Sequence, residues 1–204
     1  MVETQLRARG VADERVLHAM ATVPREEFVP RGLRNRAYDD QPLEIGGGQT
    51  ISQPFVVAAT LAAACVRPED RLLDVGTGSG YGAAVASVLA KEVFTIERLR
   101  DLGRAAERRL RRFGFTNVAT HVGDGSLGWP EQAPYDVILA GAAGPRLPDS
   151  WKSQVRDGGR IVAPVGPTGE QRLMRWTRTG DEFANEALFD VRYVPLVGEE
   201  GFAG

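Results

Sequence analysis

The amino-acid sequence predicts an α/β protein of the doubly wound kind: a mostly parallel sheet with helices on both faces, an N-terminal helical extension, and antiparallel strands at the C-terminal end. Three observations carry that expectation. Short β-branched runs alternate with amphipathic stretches from Arg71 onward, a glycine turn joins the first such run to a helix, and the last third offers extended runs with no helix between them. The 204 residues are 43% hydrophobic and show no internal repeat or low-complexity linker, so a single domain is expected over 1–204. It divides into an N-terminal helical and loop region, 1–66, and an α/β core, 67–204.

The first helix is expected to start at a cap on Asp13 and to turn Val16, Leu17 and Met20 inward before Pro24 closes it. Residues 37–53, AYDDQPLEIGGGQTISQ, contain three consecutive glycines and no stable period, so they read as a loop, and loops of that length in compact domains often carry function. Pro54 suits the first turn of the next helix, which would bury Phe55, Val56 and Leu61 and take Ser52 or Gln53 as its cap. From Arg71 the order is strand (LLDV), glycine turn, alanine-rich helix (AAVASVLA), strand (EVFTIE) and a basic helix ending at Arg112. That βαβα unit implies right-handed crossovers. Further strands are expected at 118–122, 137–139 and 160–163, and antiparallel ones at 173–178 and 187–193.

Composition removes several classes of function. The formal net charge is −2, from 25 basic and 27 acidic residues, so no global positive field draws in nucleic acid. The one basic patch, the arginine-rich stretch 98–112, reads as a solvated helix face. The single cysteine, Cys65, excludes an internal disulfide framework, and with no signal-peptide pattern it points to a reducing, cytoplasmic setting. No apolar run approaches the ~20 residues that span a bilayer, so no membrane partner is expected. His18 and His121 have no metal-ligand company, so no metal is expected either.

The strongest local signal is Asp74-Val75-Gly76-Thr77-Gly78-Ser79-Gly80, directly after an apolar strand and opening a helix. Tyr81 stands where the dinucleotide fingerprint G-x-G-x-x-G needs its last glycine, and no G-K-[ST] follows for a nucleoside triphosphate. What remains is a bare backbone surface beside a carboxylate, which suits a ligand with an ammonium and a ribose, such as S-adenosylmethionine. Glu97 ends the next strand at about the ~20-residue spacing at which an acid takes a ribose hydroxyl pair. Asp124, between Gly123 and Gly125 after the third strand, could accept from an adenine amino group. Each acid also has a plainer reading: Glu97 as a partner of Arg98 or Arg100, Asp124 as a turn residue. Three acids at three successive strand ends, one with the glycine turn, favour a nucleoside pocket.

With these motifs, and with RGVADERVLHAM, VPREEFVP, GGGQTISQP, GDGSLGW, PYDVILAGAA, GGRIVAPVG and VPLVG, the chain resembles the protein-L-isoaspartate (D-aspartate) O-methyltransferase family over nearly its whole length. The most specific segment is Gly48-Gln49-Thr50-Ile51-Ser52-Gln53-Pro54. The resemblance implies a Rossmann-like methyltransferase that uses S-adenosylmethionine and releases S-adenosylhomocysteine. It implies a cofactor site of Asp74, Gly76, Thr77, Gly78, Ser79, Glu97, Asp124 and Gly125, a substrate loop of Thr50, Ile51 and Ser52, and Ser52 as the catalytic residue beside the reacting carboxylate. The partners implied are isoaspartyl-containing proteins and peptides, acted on by a monomer in the cytoplasm, with no nucleic acid and no membrane.

The implied reaction asks little acid–base chemistry of the protein. An isoaspartyl α-carboxylate ordinarily titrates near pH 3.5, to about half a unit, so it is ionised at neutral pH and needs no general base. Catalysis then rests on alignment, worth roughly 7 to 11 kcal/mol when well executed. The methyl ester closes to a succinimide that water reopens in part to normal aspartate, which completes the repair. Two departures from the family pattern bear on the pocket: Gly82, where bacterial relatives usually carry a longer polar residue, and Ala59-Thr60-Leu61-Ala62-Ala63, which replaces a Met-Thr-Glu stretch. Two other functions stay open on sequence alone. One is a dedicated aspartate O-methyltransferase that forms aspartimide or isoaspartate in a ribosomally made peptide; the other is a non-catalytic binding module for damaged proteins.

Overall fold

The structure is a computed structural model that describes residues 1–203. Its centre is a seven-stranded sheet in the order β5-β4-β3-β6-β7-β8-β9. The strands are β3 (Arg71–Val75), β4 (Glu92–Glu97), β5 (Val118–Val122), β6 (Tyr135–Ala140), β7 (Val155–Val165), β8 (Gln171–Thr179) and β9 (Glu182–Val191). Strands β3 to β7 pair in parallel, and β8 and β9 add antiparallel. The chain leaves β3 towards β4 and β5, then returns to place β6 on the other side of β3. That reversal opens a crevice at the carboxyl ends of β3 and β6, the place where such sheets bind ligands.

Alternation along the strands supplies two cores. Leu72, Val93, Val137 and Val162 point to one face with α1 (Glu14–Thr22), α2 (Pro54–Ala63), α3 (Tyr81–Leu89) and Leu110 of α4 (Arg100–Arg112). Leu73, Ile96, Ile138 and Ile161 point to the other, where Trp151 of α5 (Asp149–Gln154) packs. The N-terminal region joins the first core directly: Leu6, Met20, Phe28 and Leu61 cluster with Tyr81, Ala84 and Val85. In α4 the small or apolar Gly103, Ala106 and Leu110 face inward and the exposed arginines face water, as the sequence pattern implies.

Asp13 caps α1 as expected, accepting from Arg15 N at 2.9 Å. Helical turns already occupy Val2–Leu6 and Arg7–Arg9, which the first-helix reading did not include. Three further expectations change. The loop expected at 37–53 contains an antiparallel hairpin, β1 (Leu43–Gly46) with β2 (Gln49–Ile51). Its glycines 46, 47 and 48 all have positive φ and make the turn. Gln53 stands at the N-cap of α2, but its side chain makes no cap bond: Asp40 Oδ1 accepts from Phe55 N at 3.0 Å instead. Finally, β7 is much longer than 160–163, whereas β9 ends at Val191 and leaves Tyr193 outside the sheet. No helix among the described residues is long and apolar enough to cross a membrane.

Candidate active site

Asp74 faces the side of β3 opposite Leu73 and Val75, next to Thr95 in the paired register of β4. Its Oδ2 accepts from Thr95 Oγ1 at 2.9 Å, and Oδ1 receives no donor from the described residues. Burial pushes its carboxyl up to about 7; the Thr95 bond pulls it down and the charge of Glu97 pushes it further up. Beyond Asp74 the backbone turns through Gly76, Gly78 and Gly80, with φ of +91°, +54° and +92°, values that L side chains rarely adopt. Gly76 N and Thr77 N both donate to Ile96 O, at 2.9 and 3.2 Å, which fixes the turn against β4. Thr77 and Thr95 share a hydroxyl–hydroxyl bond of 2.7 Å, while Ser79 O accepts from Arg109 Nη1 at 2.6 Å. A Cβ at Gly82 would lie 3.7 Å from Asp74 Oδ1, so bare backbone covers the carboxylate.

Glu97 bonds neither Arg98 nor Arg100. Its Oε2 accepts from Gly78 N and its Oε1 from Leu99 N, each at 2.9 Å, so it ties the glycine turn to the end of β4 and keeps further lone pairs for a ligand. Asp124 does serve as a turn residue: Oδ1 accepts from Ser126 N and Oγ, and Oδ2 accepts from Glu199 N at 2.8 Å. These bonds hold its carboxyl below the ordinary value although burial opposes them. Gly125 packs so tightly that a Cβ there would stand 2.6 Å from Val75 Cγ1.

The hairpin crosses this turn, with Ile45 against Gly78 and Gly47 against Leu99. Thr50 is exposed, Ile51 buried and Ser52 half-buried. The backbone carbonyl of Ser52 is held by Arg25, whose Nη2 donates to it at 2.7 Å while Nε donates to Ala37 O at 2.7 Å. Arg25 is fully buried, stacked 4.8 Å over Tyr81, and burial lowers its pKa. From the other side the C-terminal segment is pinned by Ala143, whose N donates to Val194 O at 2.9 Å and whose O accepts from Leu196 N at 2.7 Å.

Three hollows meet at the carboxyl ends of β3 and β6. An inner one of about 80 Å³ is lined by Asp74, Thr77, Thr60, Ser52 and Tyr193. A second, about 70 Å³, is lined by Glu97, Leu99, Gly125, Ala142 and Leu196. An outer groove of about 850 Å³ runs past Phe55, Phe189, Arg172, Ser52 and Tyr193. Thr50 and Gly141 line all three, so the hollows radiate from one point.

A family model described as protein-L-isoaspartate(D-aspartate) O-methyltransferase matches residues 1–201. The chain belongs to that family. Among curated relatives, a protein-L-isoaspartate O-methyltransferase of Protochlamydia amoebophila (strain UWE25) is 52% identical over 204 residues, covering 99% of this chain and 97% of the relative. Protein-L-isoaspartate O-methyltransferase 1 of Rhodopseudomonas palustris (strain HaA2) is 53% identical over 205 residues, covering 100% and 84%. A solved protein-L-isoaspartate O-methyltransferase superposes with a TM-score of 0.88 at 29% identity, covering 98% of this chain and 67% of its own. A Plasmodium falciparum structure in complex with S-adenosyl-L-homocysteine gives 0.83 at 24% identity, covering 96% of both chains, and shows the shared fold.

For this isoaspartate methyltransferase chain, the structure brings together Thr50, Ile51, Ser52, Asp74, Gly76, Thr77, Gly78 and Ser79 around the inner hollow, and Glu97 and Gly125 around the second. Asp124 faces none of the three and stands behind Gly125. Thr60, Gly141 and Tyr193 were not among the residues expected. Gly141 had a readable signal, a glycine just past a fully buried strand; the other two had none, because they come to one wall with Ser52 only in the folded chain.

Proposed function

We propose that the chain is a protein repair methyltransferase, moving a methyl group from S-adenosylmethionine to the α-carboxylate of L-isoaspartyl residues, and to the β-carboxylate of D-aspartyl residues, in damaged proteins. The observation that carries this reading is the meeting of three hollows at Thr50 and Gly141. A sulfonium has three arms, and three cavities of different character radiate from one point. When bound, S-adenosylmethionine supplies an electrophilic methyl group on that sulfonium. Asp74 would hold the ammonium through its free Oδ1, and the amides and bare surface of Gly76, Thr77, Gly78 and Ser79 would flank the same arm. Glu97 would hold the ribose hydroxyls with its spare lone pairs. Gly125 would face the adenine, with Asp124 behind it, whose Oδ2 keeps one acceptor position.

Ser52 is the acceptor-side residue of this assignment, with Thr50 and Ile51 shaping the same wall. Its half-buried hydroxyl lies at the boundary between the groove and the inner hollow. The reacting carboxylate loses its charge as the ester forms, so a neutral donor orients it without overstabilising the starting state, as a cation would. No proton has to be moved, because the nucleophile is already ionised. We further propose that the chain works as one cytoplasmic, monomeric unit, with 1–66 supplying the substrate loop.

The deciding experiment is methyl transfer from labelled S-adenosylmethionine to two synthetic peptides that differ only in an isoaspartyl or aspartyl linkage. Repair activity gives a labile ester on the isoaspartyl peptide alone. Label on the aspartyl peptide would instead make the chain a dedicated peptide-modifying enzyme. Binding of S-adenosylhomocysteine with transfer to neither peptide would leave a non-catalytic binding module.

A further inference from the structure

Helix α2 is apolar along the face it buries except for Thr60, which is 7% exposed and whose Oγ1 has no hydrogen-bond partner in the protein. A buried hydroxyl without a partner costs about 1–3 kcal/mol, so it is the mark of a site rather than of packing. Thr60 lines the inner hollow together with Ser52 and Tyr193, so three hydroxyl-bearing side chains share its wall. Burial pushes the Tyr193 phenol up to about 12, with the Thr60 and Ser52 hydroxyls pulling it down, so it is a neutral donor throughout the physiological range.

Tyr193 is also firmly placed. It lies beyond the end of β9, yet its backbone is clamped at both polar groups by buried Gln171: Tyr193 N donates to Oε1 at 2.6 Å and Nε2 donates to Tyr193 O at 3.2 Å. Tyr193 and Ser52 both line the outer groove as well as the inner hollow, so the two hydroxyl-bearing residues flank the passage between them. Of the three arginines that line the groove, Arg9 pairs with Asp40 and Arg172 with Asp190, and the exposed Arg192 lines the groove but not the inner hollow. A carboxylate has two oxygens, and Ser52 offers a donor to only one.

We propose that Tyr193 is the second orienting donor for the acceptor carboxylate, with Thr60 donating to the Tyr193 oxygen and thereby turning the phenol proton towards the substrate. The inference rests on the methyl-transfer reading of the site. Ser52 and Tyr193 would together fix the plane of the carboxylate, which a single hydroxyl leaves free to rotate.

The test compares full-length wild type with Tyr193→Phe, Thr60→Val, Thr60→Ser and the Tyr193→Phe/Thr60→Val double variant. Readouts are kcat and KM for an isoaspartyl peptide, peptide Kd in the presence of S-adenosylhomocysteine, Kd of S-adenosylhomocysteine, and Tm. Tyr193→Phe is expected to lower kcat/KM about 10- to 100-fold, mostly in kcat, and to weaken peptide binding, with the S-adenosylhomocysteine Kd unchanged within about 2-fold. Thr60→Val should give a smaller loss, Thr60→Ser should restore it, and Thr60→Val should add nothing on top of Tyr193→Phe. Wild-type kcat/KM in Tyr193→Phe would overturn the proposal, as would a fall matched by equal losses of S-adenosylhomocysteine affinity or Tm. A wild-type chain that transfers no methyl group to the peptide would overturn the reading of the site itself.

Discussion

At Asp74, burial opposes the role proposed for it. Its carboxyl sits at about 7 against an ordinary value of 3.8, so the folded, ligand-free chain takes up a proton there that the unfolded chain has already lost above about pH 4. Its contribution to stability therefore falls as pH rises from about 4 through about 7. An ammonium ligand reverses the sign, because it needs the ionised form. At pH 6 only about one tenth of Asp74 is ionised, so S-adenosylhomocysteine should bind about 10-fold more weakly at pH 6 than at pH 8. Calorimetric titration would show that slope, and Asp74→Asn should bind weakly with no slope; a wild type equally flat would remove Asp74 from the ammonium. Ser52→Ala tests the acceptor side: turnover should fall about 10-fold or more with S-adenosylhomocysteine Kd nearly unchanged. Asp74 and Glu97 were legible because each ends a strand beside a recognisable turn. Asp124 was half legible, since the spacing that suggests an adenine contact also suits the turn it makes with Ser126 and Glu199. Tyr193 was hidden, because the run that looks like strand at 187–193 loses its last two residues to the segment clamped by Gln171.

The hairpin and α2 act as one device for presenting Ser52. The chain runs out of β2 into α2 through Ser52 and Gln53, and both flanks are fixed by residues far back in the sequence: Arg25 on the Ser52 carbonyl and Asp40 on the first turn of α2. Such remote anchors explain why the sequence reading, Ser52 or Gln53, included the N-cap position, Gln53, but missed the side chain that serves it. Capping rules describe a side chain next to its own helix, whereas Asp40 reaches over the length of the hairpin. The hairpin escaped for a related reason: β1 and β2 are too short to show a period of two, and three glycines resemble a loop until their positive φ values are seen. Asp40→Ala should cost about 1 kcal/mol for the cap, with little added by the part-exposed pair to Arg9. For a chain of this size that is a fall in Tm of about 2–4 °C, read by thermal unfolding. Arg25→Met should do more, because it strands the buried Ala37 carbonyl and the part-buried Ser52 carbonyl; a loss of about 2–4 kcal/mol is expected. Its kcat should also fall further than its affinity for S-adenosylhomocysteine, since the displaced group belongs to the acceptor wall.

At the scale of the molecule, the hollows proposed for the cofactor lie where the sheet reverses its winding. Their walls come from β2, the turn after β3, the end of β4, the end of β6 and the segment from Tyr193 to Val197, pieces that the unfolded chain scatters over its whole length. The doubly wound order, the glycine turn and the acids were readable one by one, because each is a local pattern. The convergence was not, since it depends on β6 returning beside β3 and on the C-terminal segment being pinned to Ala143. A ligand that spans such a junction binds the folded state and not the unfolded one, so it stabilises the whole chain by mass action. At a concentration 100 times its Kd, S-adenosylhomocysteine should contribute about 2.7 kcal/mol, a rise in Tm of roughly 5–10 °C. The isoaspartyl peptide alone, expected to lie mainly in the outer groove, should shift Tm far less at the concentrations accessible to it. The S-adenosylhomocysteine shift, at fixed total ligand, should be larger at pH 8 than at pH 6, because Asp74 becomes ionised in that window. Differential scanning calorimetry at the two pH values measures both terms. A shift that is absent, or that is the same for Asp74→Asn as for wild type, would mean that the junction at Thr50 and Gly141 is not where the cofactor closes the fold.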